Sequence, residues 1–282
     1  MRERSRKSAF WIKHLKIGLI AQLSVAAAAF WAPAHANDLL VAPTRVEFEG
    51  RERSTEVILK NIGNEEATYR ISLVLRRMTP DGAIEPLENP TAAEKLAEEM
   101  IRYAPRRITL EPDAPQAIRI AVRKPADLPD GEYRAHMLFR AIPDADSPAQ
   151  ETEQGSGLSI RLQPIYGVTI PIIIRQGEID ANAQIVSARR AEQDGNPVIA
   201  VDMTRQGLRS SYGDFEVFPA AGGDQLVGGV RGIAVYPELP GRSVYVPLDP
   251  AVAATGTPLT LRYYESRGGE RVLVEERTVT GS

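Results

Sequence analysis

Residues 37–282 contain one histidine, His136, and the whole chain contains no cysteine. Acid–base and nucleophilic catalysis near neutral pH lean heavily on those two side chains. Tyr133, Ala135, Met137 and Phe139 alternate with Arg134, His136 and Arg140, so His136 is expected on the solvated, polar face of a strand. No Gly-x-Ser-x-Gly elbow, phosphate-binding glycine loop or His-Glu-x-x-His pair accompanies it. Asp144, Asp146, Glu151 and Glu153 could gather a calcium ion, but their spacing fits no calcium loop, and a solvated acidic linker is the stronger reading. No spacing favours one carboxylate pair for glycoside chemistry. The residues point away from an enzyme, and they imply no metal and no cofactor. Without thiols there are no disulfides either, so stability must come from core packing.

What remains is binding chemistry, and it is densest from Leu158 to Arg175, LSIRLQPIYGVTIPIIIR. Leu158, Ile160, Leu162, Pro164, Tyr166, Val168, Ile170, Ile172 and Ile174 recur at every second position, which gives a β-strand one apolar face. Read as a single strand, the stretch would reach roughly 55 Å, against about 17–20 Å for an ordinary one. Pro164 and Pro171 donate no ladder hydrogen bond and so favour an edge or a bulge. Proteins usually suppress long apolar edges, and this one therefore reads as a binding device. The alternative is two core strands joined by a bend at Ile165-Tyr166-Gly167.

The elements around that stretch begin with a segment of a different kind. Residues 1–36 open with Arg2, Arg4, Arg6, Lys7, Lys13 and Lys16, continue through IGLIAQLSVAAAAFW and end in Ala34-His35-Ala36. Basic, apolar, then small-x-small is the pattern of a secretory signal, with cleavage expected before Asn37. A retained membrane anchor is the alternative, but the apolar run is short for spanning and is broken by Gln22 and Pro33. Residues 1–36 hold six of the 34 Lys/Arg and one of the 37 Asp/Glu, so the remainder carries 28 basic and 36 acidic residues, a net charge of −8. That balance gives no basic face for nucleic acid. No other segment has the pattern to insert in a membrane once the signal is removed.

From Leu39 onward, short alternating runs are separated by turn residues. Val46 and Phe48 share a face, as do Thr55, Val57 and Leu59, and then Tyr69, Ile71, Leu73 and Leu75. Thr91-Ala92-Ala93-Glu94 fits a capping box, and Leu96, Ala97, Met100 and Ala104 recur at helical spacing, so one short helix is expected over 91–103. Residues 143–157 have the composition of a mobile loop. Gln176-Gly177 looks like a hinge. Beyond it, strands are expected at 184–188, 197–204, 214–219, 230–236, 243–248, 258–264 and 271–279. Seven or so strands per 100–140 residues read as a β-sandwich. The length of 282 residues suits two domains, here 37–176 and 177–282. The fold class is therefore all-β, two tandem immunoglobulin-like sandwiches with one short helix in the first. Tyr133, near the start of its strand, also suits a tyrosine corner.

Ala42-Pro43-Thr44-Arg45-Val46 in the first strand resembles the periplasmic pilus-assembly chaperones of Gram-negative bacteria. So do Leu128-Pro129-Asp130-Gly131-Glu132-Tyr133, the run Met137-Leu138-Phe139 with Ile142-Pro143, a variable loop and the long alternating strand. The resemblance covers about 39–176, and extends to 178–282 only by architecture. It implies a periplasmic chaperone that completes a pilus or fimbrial subunit by donor-strand complementation and passes it to an outer-membrane usher. Leu158, Ile160, Leu162, Pro164 and Tyr166 would then be the donor residues. Arg45 would grip the subunit's terminal carboxylate, for which a planar guanidinium is well suited; on the residues alone Arg45 is a solvated strand arginine. The family's second basic anchor is usually a lysine where this chain has Pro171, and no lysine follows Lys124. Arg161, another arginine, or backbone amides would have to replace it. Arg175 would tie the two domains together, with Glu132 as its acidic partner.

Two other classes fit a tandem sandwich. One is a secreted structural or adhesive surface protein, with the long strand pairing between copies. The other is a carbohydrate-binding module, which the placing of both tryptophans (Trp11 and Trp31) within the signal disfavours.

Overall fold

The computed structural model describes residues 38–143, 165–222 and 225–280, together with the backbone of 150–152 and 160–162. The expected signal at 1–36 lies outside the described residues. The first sandwich runs through β1 (Leu39–Ala42), β2 (Val46–Phe48), β3 (Ser54–Asn61), β4 (Ala67–Val74), β5 (Arg76–Met78) and β6 (Ile84–Pro86). It continues with α1 (Ala92–Met100), β7 (Ile101–Ala104), β8 (Arg107–Leu110), β9 (Pro115–Val122), β10 (Gly131–Ile142), β11 (Gln150–Thr152), β12 (Ile160–Leu162) and β13 (Gly167–Gln176). One sheet has the order β1-β3-β9-β7, and the facing sheet β2-β13-β10-β4-β8. The alternation read from the sequence sorts the side chains between faces. Val57, Leu59, Ile118 and Ile120 from one sheet meet Ala135, Met137, Phe139, Ile170 and Ile172 from the other, all buried in one core.

The helix forms where the capping box stands. Thr91 Oγ accepts from the Glu94 N–H at 3.3 Å, and the Glu94 carboxylate accepts from the Thr91 N–H at 2.8 Å. Ala97 and Met100 bury its apolar stripe. It stops at Met100, earlier than the helical spacing predicts, because Ile101–Ala104 extend into β7 and pair with β9 from Ile101↔Val122 to Ala104↔Arg119. The tyrosine corner is present: Tyr133 Oη donates to the Pro129 carbonyl at 2.9 Å.

The stretch from Leu158 to Arg175 is not one strand. β12 pairs with β11 in a separate two-stranded ribbon, whereas β13 pairs with β10 and, in parallel, with β2. Ile165 and Tyr166 belong to neither, and Tyr166 offers its carbonyl to the Ala141 N–H at 3.0 Å. A period-two pattern reports which face is apolar; it does not report that one partner serves the whole length. The stretch at 143–157 is likewise not all loop, since 150–152 form β11. Residues 144–149 and 153–159, Leu158 among them at 158, lie beyond the contiguous described segments, and so does Pro164.

The second sandwich comprises β14 (Ala181–Gln193), β15 (Asn196–Gly207), β16 (Ser211–Pro219), β17 (Gly228–Val235), β18 (Gly241–Pro247), α2 (Pro250–Ala253), β19 (Leu259–Arg267) and β20 (Glu270–Val279). Its sheets are β14-β15-β18 and β17-β16-β19-β20. All seven expected strands are present, and α2, one turn capped by Asp249, is the unanticipated element. Phe215 and Tyr263, ring centroids 4.7 Å apart, sit in its core. At the hinge Gly177 has φ +78°, and a Cβ there would lie 2.2 Å from the Asp130 carboxyl, so only glycine lets the chain turn so close to β10.

Candidate functional site: the cleft between the sandwiches

Alternation that buries one face of β2, β13 and β10 turns the other face toward the second sandwich. Val46, Phe48, Ile172, Ile174, Ala135 and Met137 point into the core. Their neighbours Glu47, Ile173, Arg175, Glu132, Arg134 and His136 point outward, in rows fixed by the pairs Ile173↔Glu47, Arg134↔Ile173 and Glu132↔Arg175. Ser210, Tyr212, Ala234, Tyr236 and Glu238 of the second sandwich lie over them; Ala234 and Tyr236 pack with Met78 and Ile173 in a small core of their own. The β5–β6 turn closes one end, where Gly82 (φ +89°) leaves room for the Arg242 guanidinium.

Arg175 holds the centre. Its Nε donates to Glu132 Oε2 at 3.0 Å and its terminal nitrogens donate to both oxygens of Glu47 at 2.8 and 3.1 Å, with Glu49 as a further partner. Burial opposes the charge on Arg175, but Glu132 and Glu47 more than offset it, so its pKa rises. Burial likewise opposes ionisation of Glu47, and Arg45 and Arg175 overcome it, leaving that carboxyl below its ordinary range. Glu132 Oε2 also accepts from the Ser210 N–H at 3.0 Å and the Ser210 hydroxyl at 2.9 Å, which carries the network into the second sandwich.

Arg45 is not a solvated strand arginine. Only 10% of its side chain is exposed. Its Nε donates to Glu47 at 2.5 Å, and its two terminal nitrogens donate to Ser210 Oγ at 3.2 Å and Tyr236 Oη at 3.4 Å. The guanidinium lies 4.3 Å from the centroid of Tyr212. Arg134 stacks on the opposite partner, 3.5 Å from the Tyr236 centroid, and pairs with Glu238.

His136 is not a surface histidine. It is 3% exposed, with no partner for Nδ1, on the face that alternation alone assigns to solvent. Burial, then the nearby Arg134 and Arg76, hold its pKa down at about 3, so it is neutral at ordinary pH. It stands directly opposite Pro171 in the register of β10 and β13.

The cleft thus brings together Arg45, Glu132 and Arg175. Of the proposed donor residues, Ile160 and Leu162 lie in β12 with side chains outside the described residues, Leu158 and Pro164 lie outside the described residues, and Tyr166 is exposed. Sequence reasoning missed Glu47, Ser210, Tyr212, Tyr236 and Glu238. Alternation in Val46-Glu47-Phe48 does place Glu47 beside Arg45 on the outward face, but no local signal marks residues that meet across a gap of 165 or 191 positions. Among the described residues, no three His, Asp or Glu groups gather to hold a metal, and no helix is long and apolar enough to cross a membrane.

No protein-family model matches the chain, and no curated protein does. Solved structures do. Several of them are chaperones, among them one of class 5 fimbriae and one of archaic Csu pili. The YadV chaperone is 12% identical with a TM-score of 0.45, over 86% of this chain and 100% of that one. The CupB2 chaperone of Pseudomonas aeruginosa is 14% identical with a TM-score of 0.44, over 86% and 100%. The CsuC–CsuE chaperone–tip subunit complex of Acinetobacter baumannii is 15% identical with a TM-score of 0.43, over 86% and 98%. At these values the likeness is one of overall architecture.

Proposed function

We propose that this chain is a periplasmic chaperone that holds pilus or fimbrial subunits by lending them a strand and delivers them to an outer-membrane usher. The supporting observation is where Arg45 stands relative to β13. β2 covers one edge of β13 only from Ile172 to Ile174, and among the described residues no strand pairs with that edge from Gly167 to Pro171. Arg45 immediately precedes Val46, the partner of Ile172, and so sits at the level where the open edge ends. A guest strand added along that edge, parallel to β13, would bring its C-terminal carboxylate to Arg45. Strand addition supplies main-chain hydrogen bonds for affinity, and apolar side chains at alternate positions supply fit. The resemblance of residues 39–176 to the chaperone family supports the same reading, and residues 1–36 read as its export signal.

Co-expression with an exported, β-rich subunit, followed by purification from an osmotic-shock fraction, tests the proposal. A one-to-one complex that Arg45→Ala abolishes is the expected result. A subunit recovered equally with wild type and Arg45→Ala would sink it, and filaments built of this chain alone would favour the structural or adhesive alternative.

A further inference from the structure

We infer that Ser210 and Tyr236 occupy the carboxylate-binding fork of Arg45 as placeholders, so that an incoming carboxylate must displace their hydroxyls. The inference rests on the reading of Arg45 as a carboxylate anchor. A carboxylate binds a guanidinium bidentately along one of two edges. The Nε of Arg45 already serves Glu47, which compromises the first edge. The second edge, formed by the two terminal nitrogens, points to Ser210 Oγ at 3.2 Å and Tyr236 Oη at 3.4 Å. Two hydroxyl oxygens therefore take the two terminal nitrogens that a carboxylate would engage. Both contacts are long for such bonds, and both acceptors are neutral. A carboxylate would replace them with two shorter, charge-assisted bonds.

The placeholders are tied to the rest of the cleft. Ser210 accepts from Arg45 and donates to Glu132, which accepts from Arg175. Hydrogen bonds therefore run from Arg45 through one residue of the second sandwich back to the pair on the first. A carboxylate that displaces Ser210 from Arg45 disturbs a bond that holds the two sandwiches together. Arrival of a guest's chain end is in this way coupled to the interface between the sandwiches.

Sodium acetate, titrated against chloride at constant ionic strength and followed by the Arg45 side-chain Nε–H resonance, tests the inference on the free protein. Tyr236→Phe removes one hydroxyl and keeps the ring; Ser210→Ala removes the other and keeps the main-chain N–H on Glu132. The double variant should bind acetate about fivefold more tightly than wild type, with each single variant between, since each lost bond is a modest net competitor. Acetamide, which lacks the charge, should show no such gain. Acetate binding that is equal in all forms, weaker in the variants, or absent throughout overturns the inference. Should Ser210→Ala fail to fold, Tyr236→Phe alone decides, with tighter binding supporting and unchanged binding overturning. None of these outcomes bears on the subunit-holding role, which depends on co-purification.

Discussion

Glu132 and Arg175 face each other across β10 and β13 as a register pair, with their side chains joined at 3.0 Å and almost wholly withdrawn from water. Their strands make the pair inevitable once the register is set, and Ser210 makes it matter beyond the first sandwich. Breaking one partner of a buried ion pair costs about 3–5 kcal/mol, because the other charge is left without its match. Glu132→Ala should lower stability in urea melts by that order and hasten proteolytic cutting near Gly177. Glu132→Gln, which keeps an acceptor for Ser210, should recover part of the loss. A variant that melts like wild type would show that Glu47 and Glu49 suffice for Arg175.

His136 gives the protein a pH dependence of defined sign. Its folded pKa, about 3, lies below its ordinary value of 6.5, so the unfolded chain takes up the proton first. Stability is therefore complete above pH 6.5 and drains away as pH falls toward 3. Between pH 6.5 and 5 the expected loss is about 2 kcal/mol, since one pKa unit corresponds to 1.36 kcal/mol. Chemical denaturation at several pH values reads it directly. His136→Leu should flatten that window, which sits above the range where carboxylates titrate; an unchanged slope in the variant would mean that His136 is not its source.

The bend at Ile165 and Tyr166 and the buried part of β13 should behave differently on substitution. Ile172 is fully buried, whereas Ile165 and Tyr166 are each nearly half exposed. Ile172→Ser should destabilise the free protein by about 2–5 kcal/mol, the usual range for an emptied core site. Tyr166→Ser should change stability by no more than about 0.5 kcal/mol, as exposed positions do, while lowering subunit recovery. Equal effects of the two on folding would make Tyr166 an ordinary structural residue.

These residues also mark what the sequence could and could not reveal. The capping box at Thr91 and Glu94, the seven strands of the second sandwich and the tyrosine corner at Tyr133 depend on local pattern, and each was legible. The pairing of Glu132 with Arg175 comes from the family resemblance. What alternation could not say was what covers a strand's polar face. On local pattern alone His136 and Arg45 read as solvated, because each falls on a polar side, yet both are largely withdrawn from water. The break between β12 and β13 falls at the bend Ile165-Tyr166-Gly167, one of two readings the apolar rhythm leaves open, because one unbroken rhythm can serve two ladders with different partners. Tyr236 and Ser210 had no signal at all, since their meaning comes from Arg45, far away in sequence.

The last prediction concerns Arg45. Loss of a charge-assisted pair at an interface costs about 2–5 kcal/mol, which corresponds to roughly 30- to 5,000-fold in Kd. Arg45→Ala should weaken subunit capture by an amount in that range. Its effect on the free protein should be smaller, because Glu47 keeps Arg175 as a partner when Arg45 is removed. Arg45→Lys should fall between, since an ammonium keeps the charge and loses the planar fork. A subunit lengthened by one glycine at its C-terminus carries its carboxylate past the end of the β13 edge. Wild type should bind that subunit less well, and Arg45→Ala should bind both subunits alike. The two changes together should thus be far less than additive, the mark of two groups in direct contact. Full additivity, measured as Kd for the four combinations, would place the carboxylate somewhere other than Arg45.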